Sequence, residues 1–197
     1  MEKRAENVQK FIDEIHEDID TLINEYLDKC ESPIEELFCV GLMKELGLVG
    51  GSEPMQSYDD EVSIYPQYEV DITDKKKYRV DFLLCMMGMV FVHGMPFTDW
   101  ETELAVECDG WEFHSTKEQI ENDNNRDAEI LAAESIPTIR FLGKDIAANP
   151  RECAKKAIGT IRRMHELKNM EMNRIADYTA DYLNKNARRV KGGVSDE

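Results

Sequence analysis

Several features that would identify a class of protein are missing from this 197-residue chain. Its longest apolar run, around Leu83 to Val92, falls well short of the roughly 20 residues that a membrane-spanning helix needs. The N-terminus reads as charged helix rather than as a signal peptide, so neither anchoring nor export is expected. Five cysteines (Cys30, Cys39, Cys85, Cys108 and Cys153) are an odd number, and none is spaced C-x-x-C. That argues against a disulfide framework and a zinc knuckle, and fits a reducing cytosol. There is no internal repeat and no low-complexity tract.

A surplus of positive charge is missing too. The net charge is -17, and a strongly negative surface repels phosphates and forfeits counterion release. The charge is unevenly placed, however: residues from Arg151 onward carry 11 Lys/Arg against 7 Asp/Glu, leaving 13 against 34 before them. An acidic body with a mildly basic C-terminal segment suits nucleic acid only if contact is local, metal-assisted or shared with a partner.

Residues 4 to 29 place Val8, Ile12, Ile15, Ile19, Leu22 and Tyr26 on one stripe, predicting an amphipathic helix that docks on its own domain in preference to a second copy or a partner helix. Ser32 as N-cap, Pro33 at N1 and Glu35 at N3 form a capping box that starts a second helix running to about Leu46. Gly50 to Glu61 reads as a surface loop. Alternation over Ile64 to Ile72 and Tyr78 to Leu84, around a turn at Thr73 to Lys77, predicts a hairpin. A strand at Glu103 to Asp109, a helix at Lys117 to Ala133 and a strand at Ile136 to Leu142 then make a β-α-β unit. Asn149 and Pro150 cap a final helical region, and the last eight residues read as disordered.

Carboxylates collect where these elements should meet. Strand alternation puts Tyr78, Val80, Phe82 and Leu84 on one side of their strand and Asp81 on the other, with Glu107 and Asp109 together on one face of theirs. If those strands are neighbours, three acids converge, which is costly unless a proton or cation relieves them. Hard oxygen ligands of this kind suit Mg²⁺ or Mn²⁺. On the crossover helix, Ile120, Asp123, Asp127 and Ile130 or Leu131 fall on one stripe, bringing two acids to the face that should meet the sheet.

The ordered set resembles the PD-(D/E)XK nuclease superfamily, and within it the small branch related to very-short-patch-repair endonucleases. The residues that carry the likeness are Glu35 in Ser32-Pro33-Ile34-Glu35, Asp81 in Arg79-Val80-Asp81-Phe82, and Glu107-Cys108-Asp109-Gly110 followed by His114. Asp123-x-x-Arg126-Asp127 and Ile139-Arg140-Phe141 complete it, over about residues 32 to 160. The resemblance implies an α/β, restriction-endonuclease-like core with a mixed central sheet flanked by helices. It further implies metal ligands at Asp81, Glu107 and Asp109, assistance from Glu35, a catalytic role for His114, and support from Asp123, Arg126 and Asp127. The superfamily's lysine, two residues after the second acid, is here Asp109. Either His114 activates water in its place, or a lysine such as Lys117 reaches in, or the site is impaired.

The chemistry needs these residue types: phosphodiester hydrolysis builds charge on phosphoryl oxygens, which a carboxylate-held divalent ion neutralises while lowering the pKa of bound water. Arg126 or Arg140 could hold a phosphate, or pair with Asp123 or Asp127. Glu35 is already explained by the capping box. A rival motif, Phe91-Val92-His93-Gly94, is set aside because Asp123-x-x-Arg126-Asp127 follows the 107 to 114 cluster at the expected distance. The expected division is an N-terminal helix over 1–30, a nuclease-like core over 31–165, a helical extension over 166–190 and a disordered tail. The expected function is a Mg²⁺-dependent endonuclease or nickase on DNA, with Mn²⁺ substituting and a homodimer or partner contact through the terminal helices. Its rivals are a non-catalytic DNA-binding or assembly subunit and a small-nucleotide phosphohydrolase.

Overall fold

A computed structural model of the chain describes residues 6–47, 62–110 and 116–192. The expected loop from Gly50 to Glu61, residues 193–197 and His114 lie outside the described residues. Helices α1 (Glu6–Leu27) and α2 (Pro33–Glu45) precede strands β1 (Ser63–Thr73), β2 (Lys76–Val92) and β3 (Met95–Asp109). Then come α3 (Lys117–Glu134), β4 (Thr138–Leu142), α4 (Gly143–Ala148) and α5 (Pro150–Gly192). No helix among the described residues is long and apolar enough to cross a membrane.

The strands form one mixed sheet in the order β1-β2-β3-β4, antiparallel except for the parallel β3–β4 pair. One face packs Phe82, Leu84, Leu104 and Val106 against Phe38 and Leu42 of α2 and Ala154, Ile158 and Ile161 of α5. Phe38 lies with its ring centroid 5.4 Å from those of both Phe82 and Phe141, joining α2 to two strands. Burying each such side chain contributes about 1.5–3 kcal/mol relative to exposure. The other face packs Val70, Val80, Leu83 and Ala105 against Ile130 of α3. The chain is therefore mixed α/β, a four-stranded sheet with helices on both faces.

The capping box forms: Ser32 Oγ accepts from the Glu35 backbone N–H at 3.3 Å, and Pro33 opens α2. Asn149 likewise caps α5, its Oδ1 accepting from the Glu152 N–H at 3.2 Å.

Several expectations need correction. The hairpin strands β2 and β3 are much longer than the alternation suggested, because the segment from Cys85 to Thr102 is a second hairpin closed by His93 and Gly94. Both turn residues have positive φ (53° and 78°), the backbone that a tight two-residue hairpin turn requires. The set-aside His93 is thus a turn residue, some 40 Å along β2 from Asp81 at about 3.3 Å per residue. On this arm Val90 and Trp100 pack under Ala176 and Met172 of α5. The expected boundary at residue 165 consequently falls inside one continuous helix, which extends to Gly192 into the stretch read as disordered. On α3, Ile130 is buried while Ile120 and Leu131 are exposed, so the buried stripe is narrower than expected.

Alternation also breaks at Asp81. Val80 packs with Leu83 on the α3 side, whereas Phe82 and Leu84 face α2 and α5, so Val80 does not share a face with Phe82 as expected. The β1–β2 pairing runs from Pro66–Phe82 to Tyr68–Val80 and skips Gln67 and Asp81. Gln67 has φ 53°, which a non-glycine residue adopts only against steric resistance. That backbone turn in β1 accompanies the break in alternation, and Asp81 itself remains within β2.

Candidate active site

The β2–β3 register ends at Phe82–Val106, and its continuation would set Asp81 opposite Glu107. The ladder stops there because the Asp81 side chain takes over: its Oδ2 accepts the Cys108 backbone N–H at 2.6 Å. Burial pushes Asp81 up to about 6 against that hydrogen bond, with the charge of Glu35 adding to the rise.

Glu107 is buried and pairs across the sheet with Arg140 of β4. Burial, then the charge of Asp81, push its carboxyl up to about 8, while Arg126 and Arg140 pull it back. Arg126 of α3 donates directly to Glu107 Oε1. Arg140 is held by a fork: Nε and Nη2 reach the two oxygens of Asp127 at 3.1 and 2.7 Å, and Nη1 reaches Asp109 at 3.3 Å. Burial works against the Arg140 charge, yet Asp127, Glu107 and Asp109 outweigh it and raise its pKa. Asp109 is raised by burial, Arg140 opposing, and the charge of Asp123 adds to the rise.

Glu35, also buried, accepts from Ser32 Oγ at 2.7 Å, from the Glu31 N–H at 2.9 Å and from Gln67 Nε2 at 2.6 Å. Its charge contributes to the raised Asp81 and Cys108. Helix α2, strands β1 to β4 and helix α3 thus all supply side chains to one acidic locus.

Glu35, Asp81, Glu107, Asp109, Asp123, Arg126 and Asp127 are therefore associated by contact or charge, as the sequence pattern suggested. Their roles differ from the expected ones. The three-ligand set of Asp81, Glu107 and Asp109 is not formed: among the described residues no group of three or more His, Cys, Asp or Glu is disposed to hold a metal ion. Arg140 instead bridges Asp109 and Asp127, and Arg126 is paired with Glu107. Lys117 does not reach in either; its ammonium side chain is almost fully exposed and 3.8 Å from Glu121. Gln67, which sequence reasoning missed, ties β1 to Glu35, and an isolated glutamine in a strand carries no signal that could have revealed it.

Mg²⁺ is commonly held by one or two carboxylates and otherwise keeps its waters, but here one oxygen of Asp81 is engaged by the Cys108 N–H and one of Glu107 by Arg126. No family model, curated protein or solved structure matches this chain.

Proposed function

We propose that the chain is a divalent-metal-dependent endonuclease or nickase that hydrolyses phosphodiester bonds in DNA, built on a restriction-endonuclease-like fold of the PD-(D/E)XK superfamily and working in the reducing cytosol. One observation carries the reading: half-buried Asp81 and buried Glu107, on adjacent strands, both resist ionisation, the charge of Asp81 adding to the burial of Glu107, with Arg126 paired to Glu107. A surface with no function gains nothing from such an arrangement, because unrelieved buried acids destabilise the fold. A bound Mg²⁺ or Mn²⁺ would neutralise charge on the scissile phosphate and acidify a water molecule. Asp81 and Glu107 are the ligand pair, Glu35 fixes a negative charge beside them, and Arg126 is in reach of a phosphate. His114 takes the proton-transfer role that the resemblance assigns to it.

The alternative, an impaired nuclease-fold subunit that binds DNA or assembles with a partner, is favoured by one specific observation. Asp109 stands where the superfamily keeps its lysine, and Arg140 engages it. Incubating supercoiled plasmid with the protein and Mn²⁺ or Mg²⁺ separates the readings. Nicking or linearisation abolished in Asp81→Ala establishes the enzyme. DNA retention without cleavage, unchanged in that variant, establishes the alternative.

A further inference from the structure

Two cysteines lie together where the first two helices meet. Cys30 follows the end of α1, Cys39 lies on α2, and the two free thiols share a side-chain hydrogen bond. Cys30 Sγ also reaches the Tyr26 carbonyl at 3.7 Å, and Cys30 packs against the core cluster to which Cys39 belongs. Their access to solvent differs. Cys39 has none (0%), whereas Cys30 is only half-buried.

The hydrogen bond from Cys30 lowers the Cys39 pKa against the burial that opposes it, and the same bond, then burial, raises Cys30. Loss of the first proton thus leaves a thiolate on Cys39 with a thiol held beside it. Thiolates are the nucleophiles of disulfide exchange, and an accessible thiol next to a second one is how such exchange ends in a bond within the chain. Between the two cysteines lies the α2 capping box, where the Glu31 N–H and the Ser32 hydroxyl both donate to the Glu35 carboxylate. A bond between the sulfurs would close a short loop around it.

We propose that Cys30 and Cys39 are a redox-modification site, closed to an intramolecular disulfide by a small-molecule disulfide such as glutathione disulfide. Cys30 Sγ attacks one sulfur of the oxidant as its proton passes to the Cys39 thiolate, and the oxidant's S–S bond breaks to release one small thiolate. Cys39 Sγ then attacks Cys30 Sγ and displaces the second small thiol, which leaves with the Cys39 proton. Two protein thiols are oxidised by two electrons, and one small disulfide is reduced to two thiols. In a reducing compartment a bond of this kind is transient and follows the redox state. It pins the end of α1 to α2 and stiffens the segment that carries Glu35. The inference stands apart from the nuclease reading.

The test incubates the folded full chain with glutathione disulfide, alkylates the remaining thiols and maps the peptides by mass spectrometry. The wild type should yield a peptide cross-linked between Cys30 and Cys39, its free thiols falling from five to three, and dithiothreitol should restore all five. Cys39→Ser should stop after the first exchange, with one glutathione held on Cys30, whereas Cys30→Ser should take up none on the buried Cys39. The oxidised wild type should melt at a higher temperature than the reduced protein, because the bond constrains the unfolded chain. Oxidant should leave the melting of Cys30→Ser unchanged. If Cys39→Ser does not fold, Cys39→Ala takes its place, and the wild-type peptide map decides by itself. A wild type that keeps five free thiols, holds glutathione on Cys30 without closing the bond, or forms the bond only in denaturant overturns the proposal.

Discussion

The Asp81 carboxylate accepts the Cys108 backbone N–H at 2.6 Å, so a side chain on β2 completes the ladder that the backbone leaves open on β3. This bond ties Asp81 to β3 beside Glu107, at the point where the alternation of β2 breaks. The same bond offsets only part of the burial penalty, since Asp81 still titrates near 6.

Asp81→Asn keeps the shape of the side chain and removes the unfavourable charge. At pH 8 the variant should match or exceed the wild type in stability, by roughly 1–2 kcal/mol, while losing Mn²⁺ binding and plasmid nicking. Thermal unfolding in EDTA and a Mn²⁺ titration check the two halves. A variant that unfolds more readily yet still binds Mn²⁺ would show Asp81 to be structural.

Stability of the metal-free protein should fall with rising pH. Unfolded carboxyls titrate near 4, whereas Asp81 and Glu107 titrate near 6 and 8 in the fold. Between pH 4 and 8 the folded chain thus holds more protons than the unfolded one, and the stability these groups contribute is lost as pH climbs through that window. The loss should be a few kcal/mol, on the order of 2–5, and should flatten in an Asp81→Asn, Glu107→Gln double variant. Mn²⁺ affinity should move the opposite way and rise with pH, because binding must displace those protons. Melting temperatures in EDTA and Mn²⁺ titrations across pH 5 to 8.5 test both trends.

Gly88→Ala should destabilise the β2–β3 arm. A Cβ there would meet the Trp100 ring at 2.4 Å, which demands that the ring move. Overpacking of this kind costs typically about 1–3 kcal/mol. Because Gly88 lies in the arm, seven residues beyond Asp81, Mn²⁺ binding at low temperature should be retained. Denaturant unfolding and tryptophan fluorescence give the size of the loss, and an unchanged midpoint would mean that the arm does not unfold with the core.

Assembly is tested through the terminal helices. Tyr178 and Tyr182 on α5 are exposed at 73% and 58%, and the apolar stripe of α1 includes Ile15 and Ile19. A homodimer using these helices would place two sites on one duplex, as double-strand cutting requires. The wild type should then sediment as a dimer, and both the Ile15→Asp, Ile19→Asp variant and the Tyr178→Glu, Tyr182→Glu variant as folded monomers that only nick. A wild type that sediments as a monomer and never linearises plasmid removes the dimer.

Local rules made much of the fold legible in the sequence. The Ser32-Pro33-x-Glu35 box, the Asn149-Pro150 cap and the short-range periodicity of α1, α2 and α3 depend on neighbours a few residues apart, so the chain itself specifies them. The nearness of Asp81 and Glu107 followed from strand adjacency, although the regular alternation read around Asp81 does not hold. The second hairpin was harder to see, because its buried and exposed apolar residues differ little in type: Val90 is buried while Met87, Met89 and Phe91 are exposed. What only the tertiary structure decided was who partners whom. Gln67 reaches Glu35 across 32 residues, Arg126 reaches Glu107 across 19, and Arg140 bridges Asp109 and Asp127. These pairings depend on the break in alternation between Val80 and Phe82 and on the docking of α3, which packs against β1 and whose Ile130 meets Val70, Val80, Leu83 and Ala105. Both are set by packing between elements distant in sequence, which no local pattern of residues encodes.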